Sequence, residues 1–142
     1  MKFGWHQDSG YVSHDHRPYL TCWCALDDAN EENGTVLLLP YSRAGTRERV
    51  LHVREEGSND RIGYTGDDPG VPVICSAGSI ALFSSTVFHR SGENHTNQTR
   101  RAYVAQYSAE PIRNRDGSQL WNDAEPVLRD GKIVEAPLHV GA

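Results

Sequence analysis

The stretch Ile80-Ala81-Leu82-Phe83-Ser84-Ser85-Thr86-Val87-Phe88 leads directly into His89. Most of its side chains are aliphatic, β-branched or aromatic, which favours β-strand structure. A histidine at the end of such a stretch is in the position expected of a metal ligand on a β-strand. We therefore expect His89 to belong to a site built on a β-sheet, with partners from other parts of the chain.

A second histidine lies near the start of the chain, in the triplet His6-Gln7-Asp8. With 7 His and 10 Asp in 142 residues, about 0.5 His-x-Asp triplets are expected by chance. The triplet therefore indicates a site only if the surrounding residues also support one. On an extended strand His6 and Asp8 would share one side while Gln7 faces away. Two imidazoles and one carboxylate bind a non-haem ferrous ion by one face and leave other positions open. We predict a metal site of His6, Asp8 and His89.

Arg100 follows His89 by eleven residues. A fully extended chain would carry it about 36 Å away, so the chain must turn back if both residues serve one site. The intervening Gly92, Asn94 and Thr96 favour a loop, and residues 100–107 are predicted to form a strand that returns beside the His89 strand. A guanidinium grips a carboxylate through two parallel hydrogen bonds. We expect Arg100 to bind a carboxylate-bearing cosubstrate near the metal.

In order and spacing, these motifs resemble those of the phytanoyl-CoA dioxygenase family. The resemblance covers residues 5–107, and its most specific element is the spacing from His89 to Arg100. It is carried by His6-Gln7-Asp8, Trp23-Cys24-Ala25-Leu26-Asp27-Asp28, Glu32-Asn33-Gly34, Leu39-Pro40-Tyr41-Ser42, and His89-Arg90-Ser91-Gly92-Glu93-Asn94 with Arg100-Arg101-Ala102.

The resemblance implies an all-β fold, the double-stranded β-helix or jelly roll, and an oxygenase that uses Fe(II) and 2-oxoglutarate. By position it makes His6, Asp8 and His89 the iron ligands. Ser91, Trp23 and Arg100 are then the cosubstrate residues, with Ser91 and Arg100 on the distal carboxylate. The implied reaction hydroxylates an unactivated C–H of a small organic substrate, consumes dioxygen and releases succinate and CO2. Halogenating relatives lack the carboxylate ligand, so Asp8 favours hydroxylation.

Two features depart from the family pattern. Pro40-Tyr41-Ser42-Arg43 stands where the family commonly has Pro-Gly-Ser-His, so no substrate is inferred from this loop. Family members are usually about twice as long, with helices and first core strands before the His-x-Asp motif. The chain therefore resembles a C-terminal half, and we expect a jelly roll that lacks those elements or receives them from a missing N-terminal segment or a homodimer partner.

The rest of the chain is organised mainly as short strands. Apolar and β-branched runs predict strands at 19–26, 36–39, 71–75 and 80–83. The turn-forming residues that end in Asn33-Gly34 predict a hairpin between the first two. Residues 47–56 are ambiguous between a strand and a short helix, and 57–70 have the composition of a loop. We expect one jelly-roll core over 1–110 and an irregular tail over 111–142 packed on or near it.

Composition limits the classes of partner. The net charge of −5 argues against nucleic acid, whose backbone requires a basic surface. No apolar stretch approaches the roughly 20 residues of a membrane span, and the N-terminus does not resemble a signal peptide. We expect a cytoplasmic protein.

Cys22 and Cys24 should face one side of a strand as small buried residues rather than as zinc ligands.

Several alternatives remain open at this stage. The chain could be a cupin-type metal-dependent jelly roll that does not use 2-oxoglutarate, or an inactive truncated scaffold that still binds metal. Trp23 could be a core residue rather than a wall of the cosubstrate pocket. His14-Asp15-His16 could face the substrate or lie in a solvated loop, and neither His14, His16 nor Arg43 receives a role.

Overall fold

The computed structural model of this protein describes residues 3–55, 57, 60–121 and 124–134. The chain divides into two compact units, Met1–Ala109 and Glu110–Ala142. The first unit contains β1 (Phe3–His6), a 3-10 turn (Asp8–Tyr11), β2 (Leu20–Ala25), β3 (Val36–Leu39), α1 (Tyr41–Ala44), β4 (Val53–Arg54), β5 (Arg61–Ile62), β6 (Val71–Pro72), β7 (Ile80–Ser84), β8 (Phe88–Ser91) and β9 (Ala102–Tyr107). In the second unit β10 (Leu128–Arg129) pairs with β11 (Lys132–Ile133). No helix in the described part of the chain is long and apolar enough to cross a membrane.

Two antiparallel sheets are the largest regular elements of the first unit. One has four strands in the order β1-β8-β3-β6, and the other has three in the order β7-β2-β9. A cluster of buried side chains, which includes Trp23 and Phe83 from the smaller sheet and Val36 from the larger one, joins the two sheets. Their inner faces therefore share one apolar core. The fold is β-rich with little helix, as the sequence predicts.

The pattern of burial along β2 shows why these residues form a strand with one face inward. Thr21, Trp23 and Ala25 are buried, whereas Leu20, Cys22 and Cys24 lie on the other face. This alternation has the two-residue period of a strand in a sheet. The prediction that Cys22 and Cys24 share a side is confirmed, since their Sγ atoms are 3.6 Å apart. Both thiols are free and half-buried.

Two predicted strand arrangements are wrong. No hairpin joins β2 to β3, because β2 pairs with β7 and β9 while β3 pairs with β6 and β8. The connection crosses from one sheet to the other instead. Likewise, the strand that follows Arg100 pairs with β2 and not with the His89 strand.

Two further segments differ from their expected structure. The apolar run 80–88 is divided by a turn at Ser85 and Thr86, so β7 and β8 belong to different sheets. His89 is therefore the second residue of a separate strand. Among the described residues of the ambiguous segment 47–56, β4 is the only regular element, and β5 lies within the segment expected to be a loop.

Candidate active site

The His-x-Asp triplet lies where β1 ends. β1 stops at His6, and Asp8 begins the 3-10 turn, so the expectation of one continuous strand through Asp8 is wrong. Gln7 nevertheless keeps an extended backbone, with φ −110° and ψ 139°. An extended residue between two others directs its neighbours' side chains to the same side. The His6 and Asp8 side chains therefore converge, and the Gln7 side chain points elsewhere.

His89 reaches this point through strand pairing, because β1 and β8 are antiparallel neighbours and His6 stands opposite His89. The two imidazole rings have centroids 4.2 Å apart. His89 Nε2 lies 3.5 Å from Asp8 Oδ1. One ligand atom from each of the three residues lies within 4.8 Å of the others, a grouping that could hold a metal ion.

Both imidazoles are oriented by backbone carbonyl groups. In each ring Nδ1 hydrogen-bonds the carbonyl oxygen two residues earlier, at 2.8 Å from Gly4 for His6 and at 3.1 Å from Val87 for His89. When such a ring is neutral, the proton on Nδ1 leaves the Nε2 lone pair available to a metal. Metal-binding histidines are commonly held in this way.

Electrostatics favour the ligand-competent protonation states. Burial lowers the pKa of His6 from 6.5 to about 4, and the adjacent His89 contributes in the same direction. Burial alone would raise the pKa of Asp8, but its hydrogen bond and charge interaction with His89 and the Thr21 hydroxyl together lower it. Thr21 donates to Asp8 Oδ2 at 2.5 Å. At neutral pH the cluster thus holds a neutral His6 and an ionised Asp8.

The three residues line a cavity of about 750 Å³. Trp23, Ser91 and Arg100 line the same cavity, so all six residues singled out in the sequence meet there. Trp23 belongs to the buried core and also lines the cavity, so its place in the core does not exclude a contact with a bound molecule. The Ser91 hydroxyl accepts a hydrogen bond from the Phe3 backbone N–H at 3.2 Å.

Arg100 differs sharply from its neighbour Arg101. The Arg100 guanidinium lies over the Trp23 ring, 5.7 Å from its centroid, and Nη2 donates to the Gly34 carbonyl at 2.8 Å. Its Nε is buried and has no hydrogen-bond partner among the described residues. Arg101 instead pairs with Asp27 through both Nε and Nη2, and this pair lowers the pKa of Asp27 to about 2. Arg100 therefore retains a buried donor, whereas Arg101 is engaged in an exposed ion pair.

The other sequence features lie outside the cluster. His16 hydrogen-bonds Ser9 through Nε2 at 3.0 Å, and the His14 carbonyl accepts from Arg49 at 2.8 Å. Arg43 forms an ion pair with Asp68. Among the residues that the structure describes, His14 and His16 are not part of the metal-competent group.

Sequence reasoning missed two residues that support the site. Thr21 bonds Asp8, and the Gly34 carbonyl holds Arg100. The strand period gives a weak signal for Thr21, because it lies two residues before Trp23 on the same face. Gly34 is recognisable in the sequence as a turn residue and as part of the Glu32-Asn33-Gly34 motif, but nothing local to it indicates a contact with Arg100, 66 residues away.

Solved structures share this fold. EvdO2 from Micromonospora carbonacea var. aurantiaca, solved in complex with 2-oxoglutarate, superposes with a TM-score of 0.55 at 29% identity, over 79% of this chain and 49% of that one. The profile of the phytanoyl-CoA dioxygenase (PhyH) family matches residues 2–102. The chain belongs to this family, as its motifs indicate.

Individual relatives carry names of the same chemical class. A probable alpha-ketoglutarate-dependent hypophosphite dioxygenase of Stutzerimonas stutzeri is 26% identical over 96% of this chain and 52% of its own length. A methylphosphonate hydroxylase of Gimesia maris is 32% identical over 70% of this chain and 40% of its own length. The chain thus spans about half, or less, of the length of these curated relatives.

Proposed function

We propose that this chain carries the active site of an Fe(II)- and 2-oxoglutarate-dependent dioxygenase, built on a double-stranded β-helix within residues 1–110. The observation that carries the proposal is that the His6-Asp8-His89 cluster and Arg100 line one cavity. Membership of the family and the 2-oxoglutarate complex of a solved relative support it. In this proposal residues 111–142 are not part of the core.

His6, Asp8 and His89 would hold the metal, and their donor set fits ferrous iron. Two neutral imidazole nitrogens and one carboxylate oxygen form the facial triad that leaves open coordination positions. The Nδ1 hydrogen bonds orient both rings, and the Nε2 of His89 lies 3.5 Å from Asp8 Oδ1. Thr21 would hold the Asp8 carboxylate in place through its hydroxyl.

Arg100, Ser91 and Trp23 would bind 2-oxoglutarate. Arg100 lines the cavity and would bind a carboxylate there, while the Gly34 carbonyl and the Trp23 ring fix the position of its guanidinium. A charge-assisted hydrogen bond of this kind contributes about 1.5 to 3 kcal/mol. Ser91 would add a hydroxyl from the His89 strand.

The proposed reaction is the hydroxylation of an unactivated C–H of a small organic molecule. When bound, iron with 2-oxoglutarate and dioxygen supplies the oxidation, in which one oxygen atom enters the substrate and the other enters succinate, with release of CO2. Asp8 supports hydroxylation over halogenation, because its carboxylate fills the position that a halide would need. The cavity admits a small molecule, and its enclosing side chains Trp23 and Phe83 would limit access of water.

The test is an anaerobic titration of the purified chain with Fe(II) and 2-oxoglutarate, followed by the weak visible absorption band of the ternary complex. We expect the band in the wild-type chain, its loss in Asp8→Ala, and at least a tenfold weaker 2-oxoglutarate affinity in Arg100→Ala, about 1.4 kcal/mol. Arg101→Ala is the matched control, because its side chain pairs with Asp27 instead. Absence of the band in folded wild-type protein would reject the proposal. An unchanged 2-oxoglutarate affinity in Arg100→Ala would show that Arg100 does not bind the cosubstrate, and unchanged activity of Arg100→Ala would favour a cupin-type protein that does not use 2-oxoglutarate.

A further inference from the structure

Gln7, between the two N-terminal members of the cluster, is fully buried and uses its whole amide group. Its Nε2 donates to the Glu48 carbonyl at 2.9 Å and to the Thr86 carbonyl at 2.7 Å. Its Oε1 accepts from the Val50 backbone N–H at 2.9 Å. A buried amide with all these partners satisfied constrains every segment that it joins.

The joined segments are those that carry the cluster. Thr86 lies in the turn that leads into β8, three residues before His89, so one bond of Gln7 links the two ligand-bearing elements directly. The other two bonds, to Glu48 and Val50, connect the triplet to a segment without regular secondary structure. Because Asp8 lies beyond the end of β1, ladder hydrogen bonds alone do not fix its position.

His52 provides a second attachment at the same place. Its Nε2 accepts the Gln7 backbone N–H at 2.9 Å, while Nδ1 hydrogen-bonds the Val50 carbonyl at 2.9 Å. The ring fits between two glycines, since a Cβ at Gly10 would lie 2.3 Å from Cε1 and one at Gly63 would lie 2.4 Å from Nε2. No larger residue than glycine fits either position without displacing the ring.

We propose that Gln7 and His52 are positioning residues for the metal site, and that they hold His6, Asp8 and His89 in one arrangement through the Gln7 amide and backbone. This inference rests on the proposed function, since it assumes that the cluster binds a metal. Among the described residues, neither Gln7 nor His52 belongs to the group that could hold the metal. Their effect would pass through the backbone of Gln7 and the carbonyl of Thr86. Removing support of this kind lowers metal affinity about 10- to 100-fold in other proteins.

The experiment titrates the full chain with Co(II), whose visible bands report both affinity and ligand geometry. Gln7→Met keeps the size of the side chain and removes the amide. His52→Leu removes the acceptor for the Gln7 N–H, whereas His52→Gln keeps an acceptor near the position of Nε2. We expect about 10- to 100-fold weaker Co(II) binding and altered bands for Gln7→Met and His52→Leu, with substantial recovery in His52→Gln.

The control is Val73→Ala, which trims apolar packing outside the triplet, the 48–52 segment and the 85–87 turn. It should lower the urea midpoint and leave the Co(II) bands and affinity unchanged. Wild-type affinity and bands in folded Gln7→Met, or equal affinities for His52→Leu and His52→Gln, would overturn the inference. If Gln7→Met does not fold, the two His52 variants decide the question. Failure of the wild-type chain to bind Co(II) would instead reject the proposed function.

Discussion

At the scale of single residues, the chemistry of Asp8 depends on the hydroxyl of Thr21, a residue that no sequence motif indicates. Thr21 donates to Asp8 Oδ2 while His89 approaches Oδ1, so the carboxylate is held from both sides. The residue types His, Asp and Arg are predictable because few side chains can bind a metal or grip a carboxylate. The residues that orient these side chains are not restricted in this way, because many kinds of side chain can form the supporting hydrogen bonds.

Thr21→Val should weaken metal binding without removing a ligand. The substitution keeps the shape of the side chain and removes the hydrogen bond to Asp8, so we expect about tenfold weaker Co(II) affinity. Titration of the visible Co(II) bands measures this. Thr21→Ser, which retains the hydroxyl, should bind within about threefold of wild type, and equal affinities for the Val and Ser variants would contradict the role of Thr21.

His6 should make the metal-free protein less stable as the pH falls. Its pKa is about 4 in the folded chain and 6.5 as a free side chain, so between these values only the unfolded state binds the proton. The free energy of unfolding should therefore decrease as pH falls through this window, by at most about 3 kcal/mol from His6. His52, whose pKa burial also lowers, acts in the same direction.

Urea unfolding of metal-free protein at about pH 7 and about pH 5 measures this effect. His6→Gln removes the titrating group, so its stability should change less between the two conditions. An equal loss of stability in His6→Gln and wild type would show that other groups account for the pH dependence.

At the scale of elements, the segment before β9 brings two adjacent arginines to different tasks. Arg101 forms an exposed ion pair with Asp27, whereas Arg100 donates to the Gly34 carbonyl and lies over the Trp23 ring. The strand period predicts the opposite directions of these side chains. It does not predict that β9 pairs with β2, because partner choice depends on the packing of both sheets.

Gly34→Ala should damage both stability and cosubstrate binding. Gly34 has a φ of +75°, and a Cβ there would lie 2.7 Å from the Gly92 carbonyl oxygen. The left-handed conformation alone costs a non-glycine residue about 1–2 kcal/mol, and the close contact adds to it. We expect a lower urea midpoint and a weaker 2-oxoglutarate affinity, because the Gly34 carbonyl holds Arg100.

Gly45→Ala is the matched control for this prediction. Gly45 has a nearly identical φ of +73° and no atom within 4 Å of its Cβ position. The Gly45→Ala variant should lose only the stability that the left-handed backbone conformation costs, and its 2-oxoglutarate affinity should be unchanged. Equal effects of the two substitutions would exclude a specific role for the contact between Gly34 and Arg100.

At the scale of the whole molecule, every residue of the candidate site belongs to the unit Met1–Ala109. We predict that a chain ended after Ala109 keeps a cooperative unfolding transition and binds Co(II) with an affinity within about threefold of the full chain. Circular dichroism during urea unfolding and the Co(II) titration provide the measurements. Loss of cooperative unfolding in the shorter chain would show that residues 110–142 are part of the folding unit.

The sequence by itself determined the kinds of side chain at the site, the strand character of most of the first unit, and the family. These follow from local chemistry, since a side chain's donor atoms and a strand's two-residue period are visible in the residue order. The tertiary structure decided which strands pair and which residues support the ligands. His6 meets His89 across 83 positions, and Gln7 reaches Thr86 across 79. Such contacts depend on the packing of two complete sheets, which no local pattern records.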